Sequence, residues 1–339
     1  MSVAPLLLLH GIRGSRLAIR GPAGPEIIWE LANESHPRAH LLGLHHDAAG
    51  KHEAADPAQP VFPLDLEPGT YGAFLDWAAA RGPLTASAWD WRLAPGEAAA
   101  GLAALVPGEA LDIVTHSMGL HLLGWLVLEG HLPLERVRRL ALVAPAFGGA
   151  LDILHVLLSG SDRAADEGDA TGRAYGHVVR SLPSLYRLLP VPGHGLLVDG
   201  GGRELDPLEL AGWPADALGE GERHRGTLAL LLEGARRDRE RLARFTRLLP
   251  DLGDRLLILA GRGVETPVRC RMEGRGMSCA ASRLHFSREG DGRLAVAAQR
   301  PADLELPCEL FGRPGEPVSH GEILRHPQVL ARLASFLDS

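Results

Sequence analysis

A serine with the surroundings of a nucleophile lies in the run Thr115-His116-Ser117-Met118-Gly119. The run Leu111-Asp112-Ile113-Val114 before it predicts a strand, and residues 120–129 after it predict a helix. A sharp turn between a strand and a helix exposes the serine hydroxyl at the edge of the sheet, and the helix N-terminus stabilises developing negative charge. This context predicts that Ser117 is the nucleophile of a serine enzyme, although Thr115 replaces the glycine usual at that position of the turn.

A serine nucleophile also needs donors for the oxyanion that forms during attack. The first apolar strand, residues 6–10, ends in His10-Gly11-Ile12-Arg13-Gly14-Ser15. Gly11 allows the chain to turn, so the backbone N–H of Ile12 can supply one donor and the N–H of Met118 the other. The alternative for His10-Gly11 is a plain turn that ends a strand.

The acid and the base of such a site follow the serine in the order Ser, acid, His. Asp291 lies in the glycine-flanked run Glu289-Gly290-Asp291-Gly292, which suits an exposed carboxylate, and His320 precedes the last amphipathic helix. An imidazole at that position can accept the serine proton and later return it. The rival acids are Glu289 and Asp303; the rival base is His326, which better fits the N-terminus of the helix that starts at Pro327.

The elements that must position these residues alternate between strands and helices. Strands are predicted over residues 6–10, 111–115, 137–144 and 255–260, and helices over 97–105, 118–129 and 327–337. This order predicts an α/β fold with a mainly parallel sheet covered by helices on both faces. Residues 148–250, with one charged helix near 228–248, are too long for a plain loop and predict a cap over the carboxyl edge of the sheet. The expected division is a core of 1–147 and 251–339 with the cap 148–250 inserted.

Composition narrows the classes of protein. Among 339 residues, 45% are hydrophobic and the net charge is −7, which disfavours disorder and nucleic-acid binding. No apolar run is long enough for a membrane span, and the apolar opening lacks the basic start and the cleavage site of a signal peptide, so a cytoplasmic protein is expected. The three cysteines predict reduced thiols, with a Cys270–Cys279 bridge as the alternative.

Two further motifs invite a ligand interpretation that their surroundings disfavour. Residues 21–85 are rich in proline, glycine and histidine. The histidines in this polar stretch lack the spacing of a metal site and are expected to be solvated: His36, His40, His45, His46 and His52. Gly261-Arg262-Gly263 follows a strand, but Glu265-Thr266-Pro267 replaces the third glycine and helix of a dinucleotide-binding loop. No cofactor and no metal are therefore expected.

The chain resembles the lecithin:cholesterol acyltransferase family, a group of phospholipases and acyltransferases with the α/β-hydrolase fold. Seven segments match in order: residues 5–15 around the oxyanion loop, Trp29, the run Trp89-Asp90-Trp91-Arg92, the serine turn, residues 144–149, residues 180–190 of the cap, and residues 261–267. The resemblance implies Ser117 as nucleophile, Asp291 as acid and His320 as base, with Ile12 and Met118 as oxyanion donors. For Asp90 and Arg92 we expect an ion pair that braces a loop rather than a catalytic role.

Two departures from that family concern the site and the cap. After Asp291-Gly292 the family continues Thr-Val-Pro, whereas this chain has Arg293-Leu294-Ala295, and the paired cysteines that hold the lid of secreted relatives have no counterpart. The resemblance implies a serine acyl hydrolase or O-acyltransferase that acts on a lipid ester and contacts a membrane surface transiently. The alternatives are an esterase or thioesterase on a soluble acyl substrate, or a non-catalytic scaffold that binds a partner or an acyl ligand. The oligomeric state is left open.

Overall fold

The computed structural model describes residues 4–31, 36–47, 51–159, 170–215, 217, 222–274 and 276–339. The start of the apolar opening, residues 1–3, and parts of the predicted cap lie outside the described residues. The strands are β1 (Leu6–Leu9), β2 (Ser15–Gly21), β3 (Gly24–Trp29), β4 (Leu44–His46), β5 (His52–Ala54), β6 (Phe62–Leu66), β7 (Leu84–Ala86), β8 (Leu111–His116), β9 (Val137–Val143), β10 (Leu197–Asp199), β11 (Leu256–Gly261), β12 (Thr266–Met272), β13 (Ser282–Ser287) and β14 (Cys308–Phe311). The helices are α1 (Pro68–Ala79), α2 (Pro95–Leu102), α3 (Gly119–Leu128), α4 (Leu151–Ser159), α5 (Ala170–Ser181), α6 (Pro183–Arg187), α7 (Glu222–Thr246) and α8 (Pro327–Asp338).

Six strands form the central sheet in the order β14-β11-β9-β8-β1-β7, and every neighbouring pair is parallel. The predicted strands are β1, β8, β9 and β11, and the structure confirms each of them within a residue or two. The outer strands β7 and β14 were not predicted, because three or four residues carry too little periodicity. The carboxyl ends of β1, β8 and β11 lie at one edge, where the candidate residues follow them.

Side chains of each strand alternate between two hydrophobic clusters, one on each face of the sheet. Along β1, Leu6 and Leu8 belong to the cluster that packs against α1 and α8, whereas Leu7 and Leu9 belong to the cluster that contains α2, α3 and α7. Continuous apolar strands such as β1 are typical of parallel sheets, which are buried on both faces. The predicted α/β architecture with helices on both faces is confirmed.

The predicted insertion, residues 148–250, lies between β9 and β11. Its long charged helix α7 packs against α3 of the core, where Arg241 stacks over the Trp125 ring at 3.6 Å. Its short strand β10 pairs with β12, which follows the insertion, and β12 pairs with β13, so a small sheet joins the two segments. The boundaries of the cap stay a prediction.

Helix α1 is a long element that the sequence analysis did not predict. It lies within residues 21–85, where proline, glycine and histidine hide any periodicity. Glu67 caps its N-terminus by accepting a hydrogen bond from the Thr70 amide at 2.8 Å, and Pro68 occupies its first turn.

Two expectations from the sequence concern the pairing of the cysteines and the presence of membrane-spanning segments. None of the three cysteines forms a disulfide, so the alternative Cys270–Cys279 bridge is not formed. None of the helices in the described part of the chain is both long and apolar enough to cross a membrane.

Candidate active site

The turn after β8 holds Ser117 in a backbone conformation that few residues adopt. Its φ is +55°, in the left-handed region, where an L-residue other than glycine is uncommon and strained. The Ser117 amide donates to the Val143 carbonyl of β9 at 3.1 Å, and α3 begins two residues later at Gly119. The sequence-predicted strand, turn and helix are therefore present, and the strained residue is the candidate nucleophile.

Two glycines let the end of β1 pass directly over this turn. A Cβ on Gly119 would lie 2.0 Å from the Leu9 carbonyl oxygen, and a Cβ on Gly11 would lie 2.6 Å from the Ser117 Cβ. Real Cβ atoms do not approach so closely, so neither position accepts a side chain without movement of the backbone. The close approach brings the loop of residues 10–14 and the serine turn together, as the sequence predicted.

Thr115, the departure noted in the turn motif, fits the interior of the sheet. It lies on β8 between Leu9 of β1 and Leu142 of β9, and its side chain is fully buried. Its hydroxyl has no hydrogen-bond partner among the described residues. A methyl-bearing residue thus packs where the usual glycine would leave space, and the turn still forms.

The candidate acid and base are hydrogen-bonded to each other. Asp291 Oδ2 lies 2.7 Å from His320 Nδ1, and the His320 amide donates to the Asp291 carbonyl at 2.8 Å. The Asp291 side chain is completely buried, whereas the His320 side chain keeps 14% of its surface exposed. A buried carboxylate on Nδ1 orients the imidazole and leaves Nε2 as the atom that can accept a proton.

The second oxygen of Asp291 is held by the turn that departs from the family pattern. Oδ1 accepts hydrogen bonds from the amides of Arg293 at 3.0 Å and Leu294 at 2.7 Å. Gly292, with φ of +94°, makes that turn, and its amide donates to Thr266 Oγ1 at 2.8 Å. The run Arg293-Leu294-Ala295 therefore forms a cradle for the carboxylate.

His320 reaches the serine turn through the residue before the serine. The rings of His116 and His320 lie 4.9 Å apart between centroids, and His116 Nε2 lies 3.1 Å from the His320 carbonyl oxygen. Within the described ranges, Ser117 Oγ makes no hydrogen bond, to His320 or to any other group. The acid and base are assembled beside the turn, and contact between Ser117 Oγ and His320 Nε2 remains a prediction.

Both predicted oxyanion donors are unused within the described part of the protein. No carbonyl or side chain there accepts a hydrogen bond from the amide of Ile12 or of Met118, whereas the Gly11 amide donates to Tyr71 Oη at 3.0 Å. Met118 is the N-cap residue directly before α3, so its amide lies at the positive end of that helix. Two unsatisfied N–H groups next to Ser117 suit an anionic oxygen.

His10 holds the loop that carries Ile12. It is fully buried, stacks on the Trp89 ring at 5.1 Å, and contacts the Gly11 carbonyl through Nδ1 and Ser15 Oγ through Nε2, each at 2.8 Å. Burial lowers the pKa of His10 to about 3. The ring is thus neutral, with Nδ1–H donating to Gly11 and Nε2 accepting from Ser15.

The rival candidates occupy other positions. His326 is the residue that precedes α8, as its neighbour Pro327 predicted. Glu289 lies 3.8 Å from Arg262 at an exposed position, and Asp303 is exposed. Neither carboxylate makes a contact with His320 among the described residues, which favours Asp291 as the acid.

The pair Asp90–Arg92 has the bracing role that was expected. Arg92 Nη2 lies 2.6 Å from Asp90 Oδ2, and Arg92 also donates to the Leu42 carbonyl at 3.2 Å. Both side chains are largely buried, and the neighbouring Trp91 packs edge-on against Trp29 with ring centroids 4.8 Å apart. The matched tryptophans are therefore core residues near the oxyanion loop.

The expectation that the early histidines are all solvated is wrong for two of them. His46 Nε2 lies 2.7 Å from the Ser181 carbonyl, and His52 Nε2 lies 3.0 Å from Glu97. Burial lowers the pKa of His46. The hairpin of β4 and β5 folds onto α5, which sequence spacing could not reveal. In the described residues, no group of three or more His, Cys, Asp or Glu side chains is placed to hold a metal ion.

Comparison with solved structures supports the fold. The chain is similar to the crystal structure of the Tle4-Tli4 complex, with 13% identity over 99% of this chain and 98% of that one, and a TM-score of 0.60. The chain also aligns with the esterase RhEst1 from Rhodococcus sp. ECU1013, with 14% identity over 99% of this chain and 91% of that one, and a TM-score of 0.38. It aligns with the Bacillus licheniformis lipase BlEst2 in mature form with 12% identity over 99% of this chain and 92% of that one, and a TM-score of 0.33. At such identities only the fold is shown. No family model and no curated protein matches.

A parallel sheet with helices on both faces and a serine at a strand–helix turn identify the architecture. The chain has the α/β-hydrolase fold. Membership of the lecithin:cholesterol acyltransferase family stays a prediction, since no family model matches.

Proposed function

We propose that this protein is a serine acyl-transfer enzyme in which Ser117, His320 and Asp291 act as nucleophile, base and acid. The observation that carries the proposal is the hydrogen bond of 2.7 Å between buried Asp291 and His320, beside a serine held at a φ of +55°. Burying a carboxylate costs desolvation free energy, and strained backbone conformations cluster at active sites. Both features together are typical of a catalytic site.

In the proposed reaction, His320 Nε2 takes the proton from Ser117 Oγ while Oγ attacks the ester carbonyl. The carbonyl oxygen becomes an oxyanion that accepts hydrogen bonds from the amides of Ile12 and Met118. As the tetrahedral intermediate collapses, the ester bond breaks and His320 returns the proton to the departing alcohol. Water or an acceptor alcohol, deprotonated by His320, then attacks the carbonyl of the acyl-enzyme. The bond between the acyl group and Ser117 Oγ breaks, His320 returns the proton to Oγ, and the free acid or the new ester leaves.

Asp291 stabilises the imidazolium that forms at His320 and keeps Nδ1 protonated throughout. Its Oδ1 is saturated by two backbone donors, so only Oδ2 faces the imidazole. This arrangement prevents the carboxylate from rotating during the cycle.

For the substrate we propose a lipid ester, with the acyltransferase activity of the resembled family as the finer proposal. The support is the sequence resemblance, which spans both the oxyanion loop and the predicted cap. Transient membrane contact and a cytoplasmic location stay predictions.

The test is turnover of micellar phospholipid and of short p-nitrophenyl esters by the purified protein. Ser117→Ala should abolish turnover, and Ser184→Ala should preserve it. Ser184 is a matched control, because it is buried and its hydroxyl has no hydrogen-bond partner among the described residues.

Turnover of soluble esters alone would refute the lipid substrate and favour the esterase alternative. Adding an acceptor alcohol distinguishes transfer from hydrolysis, since a transferase would form the new ester in place of free acid. Equal activity in Ser117→Ala and the parent would refute the proposal itself.

A further inference from the structure

Two buried polar residues that the proposed reaction does not use connect its parts. Tyr71 on α1 and His116 at the end of β8 lie between the oxyanion loop and the candidate base. We propose that the chain Gly11–Tyr71–His116–His320 is a positioning network that aligns the oxyanion loop and the His320 backbone around Ser117. This inference rests on the proposed function.

Each link has the length of an ordinary hydrogen bond. The Gly11 amide donates to Tyr71 Oη at 3.0 Å, Tyr71 Oη lies 2.7 Å from His116 Nδ1, and His116 Nε2 lies 3.1 Å from the His320 carbonyl oxygen. Tyr71 is 1% exposed and His116 is 3% exposed. A buried polar chain that is fully satisfied is rigid, because breaking one link leaves two groups unpaired.

The donor and acceptor at each link are fixed by chemistry. The His320 carbonyl can only accept, so His116 Nε2 carries a proton. Burial, together with the nearby His320, lowers the pKa of His116 well below its ordinary value, so the ring is neutral and Nδ1 must accept from Tyr71. Burial raises the pKa of Tyr71, which keeps its proton available for donation. Tyr71 Oη then accepts from Gly11.

This positioning network explains how the backbone of His320 is held. Its amide donates to the Asp291 carbonyl and its carbonyl accepts from His116, so both sides of the residue are fixed. The Gly11 amide, turned toward Tyr71, fixes the peptide next to the Ile12 donor. A shift of either group by a fraction of an ångström would misalign the attack on the ester, and such misalignment lowers the rate rather than binding.

The kinetic test compares two buried tyrosines. Tyr71→Phe removes both hydrogen bonds made by Oη and should lower kcat about tenfold, with KM changed less than about twofold. Tyr186→Phe is the matched control, because Tyr186 is equally buried and its hydroxyl donates to the Arg180 carbonyl in the insertion at 2.8 Å. Both variants should lose thermal stability, and only Tyr71→Phe should lose kcat.

His116 provides the conservative comparison. His116→Phe removes both links, whereas His116→Gln keeps an amide donor near the position of Nε2 and should recover most of the lost kcat. Equal losses in kcat for the Gln and Phe variants, or for Tyr71→Phe and Tyr186→Phe, would overturn the positioning role.

Nitrogen NMR of the histidine rings gives a readout that needs no substrate. His116 should carry its proton on Nε2 and show no titration between about pH 5 and about pH 9. Tyr71→Phe should shift the Nδ1 resonance, because that nitrogen loses its donor, while the proton stays on Nε2 against the His320 carbonyl. A proton on Nδ1, or titration in that range, would overturn the network. An inactive parent protein would refute the proposed function separately, and the tautomer of His116 would still decide whether the network exists.

Discussion

Replacing Asp291 by asparagine should stop the proposed reaction without unfolding the site, and the structure dictates why. Oδ1 accepts from the amides of Arg293 and Leu294, so the asparagine carbonyl oxygen must take that position. The NH2 group then faces His320 Nδ1 in place of Oδ2. The opposite orientation of the amide would set donors against donors in a buried turn.

An NH2 group facing Nδ1 forces that nitrogen to accept, which places the ring proton on Nε2. His320 is then the wrong tautomer to take a proton from Ser117. In serine proteases the equivalent change lowers kcat about 10⁴-fold, and we expect the same order here. At about 1.36 kcal/mol per factor of ten, that loss is roughly 5 kcal/mol in the activation barrier.

The assay is initial-rate hydrolysis of a p-nitrophenyl ester, with folding checked by thermal unfolding. Asp303→Asn is the matched control, since Asp303 is an exposed carboxylate among the rival acids, and its rate should stay within about twofold of the parent's. A loss of less than about tenfold in Asp291→Asn would refute the role assigned to Asp291. An equal loss in Asp303→Asn would show that the acid was misidentified.

Three predictions concern the scaffold. Gly119→Ala should abolish the soluble folded protein, because its Cβ would lie 2.0 Å from a backbone oxygen. Gly226→Ala in α7, whose Cβ would have no atom within 4 Å, should raise the free energy of unfolding by about 0.5–1 kcal/mol. Soluble yield measures the first effect and thermal unfolding the second. Folding lowers the pKa of His10 from 6.5 to about 3, so below pH 6.5 the unfolded chain binds a proton that the folded protein does not. The free energy of unfolding should therefore be unaffected by His10 above pH 6.5 and should fall as the pH drops toward 3, by up to about 1.4 kcal/mol per pH unit. Urea unfolding that is independent of pH between about 7.5 and about 4.5 would contradict this. Asp238→Asn should cost about 3 kcal/mol in urea unfolding, because it leaves the buried guanidinium of Arg187, now 2.6 Å from Asp238, without a counter-charge; a cost below about 1 kcal/mol would refute the importance of this pair.

The parts of the fold that the sequence could predict are those with a strong local signal. Strands β1, β8, β9 and β11 are rich in apolar residues, and α8 has a regular amphipathic pattern, so their positions follow from residue order. Helix α1 and the short strands β7 and β14 depend on packing against distant segments. Their local sequence carries little preference, and tertiary contacts decide their structure.

The candidate site shows the same division. Ser117 and Gly11 could be proposed from sequence, because a tight turn restricts which residues fit beside a nucleophile. Asp291 and His320 came from chain order and their glycine-flanked surroundings, and the structure joins them by a hydrogen bond.

Tyr71 could not be foreseen, since nothing in its sequence neighbourhood shows that it contacts residue 116. His116 offered a weak signal by its position directly before Ser117. The role of the Arg293–Ala295 turn as a carboxylate cradle was also hidden, because backbone donors leave no mark in the sequence.

The most direct test of the proposed chemistry is covalent labelling with a fluorophosphonate, followed by peptide mass spectrometry. We predict a single phosphonylated residue, Ser117, and no adduct in Ser117→Ala. An unlabelled protein, or an adduct on another residue that persists in Ser117→Ala, would contradict the assignment of Ser117 as the nucleophile.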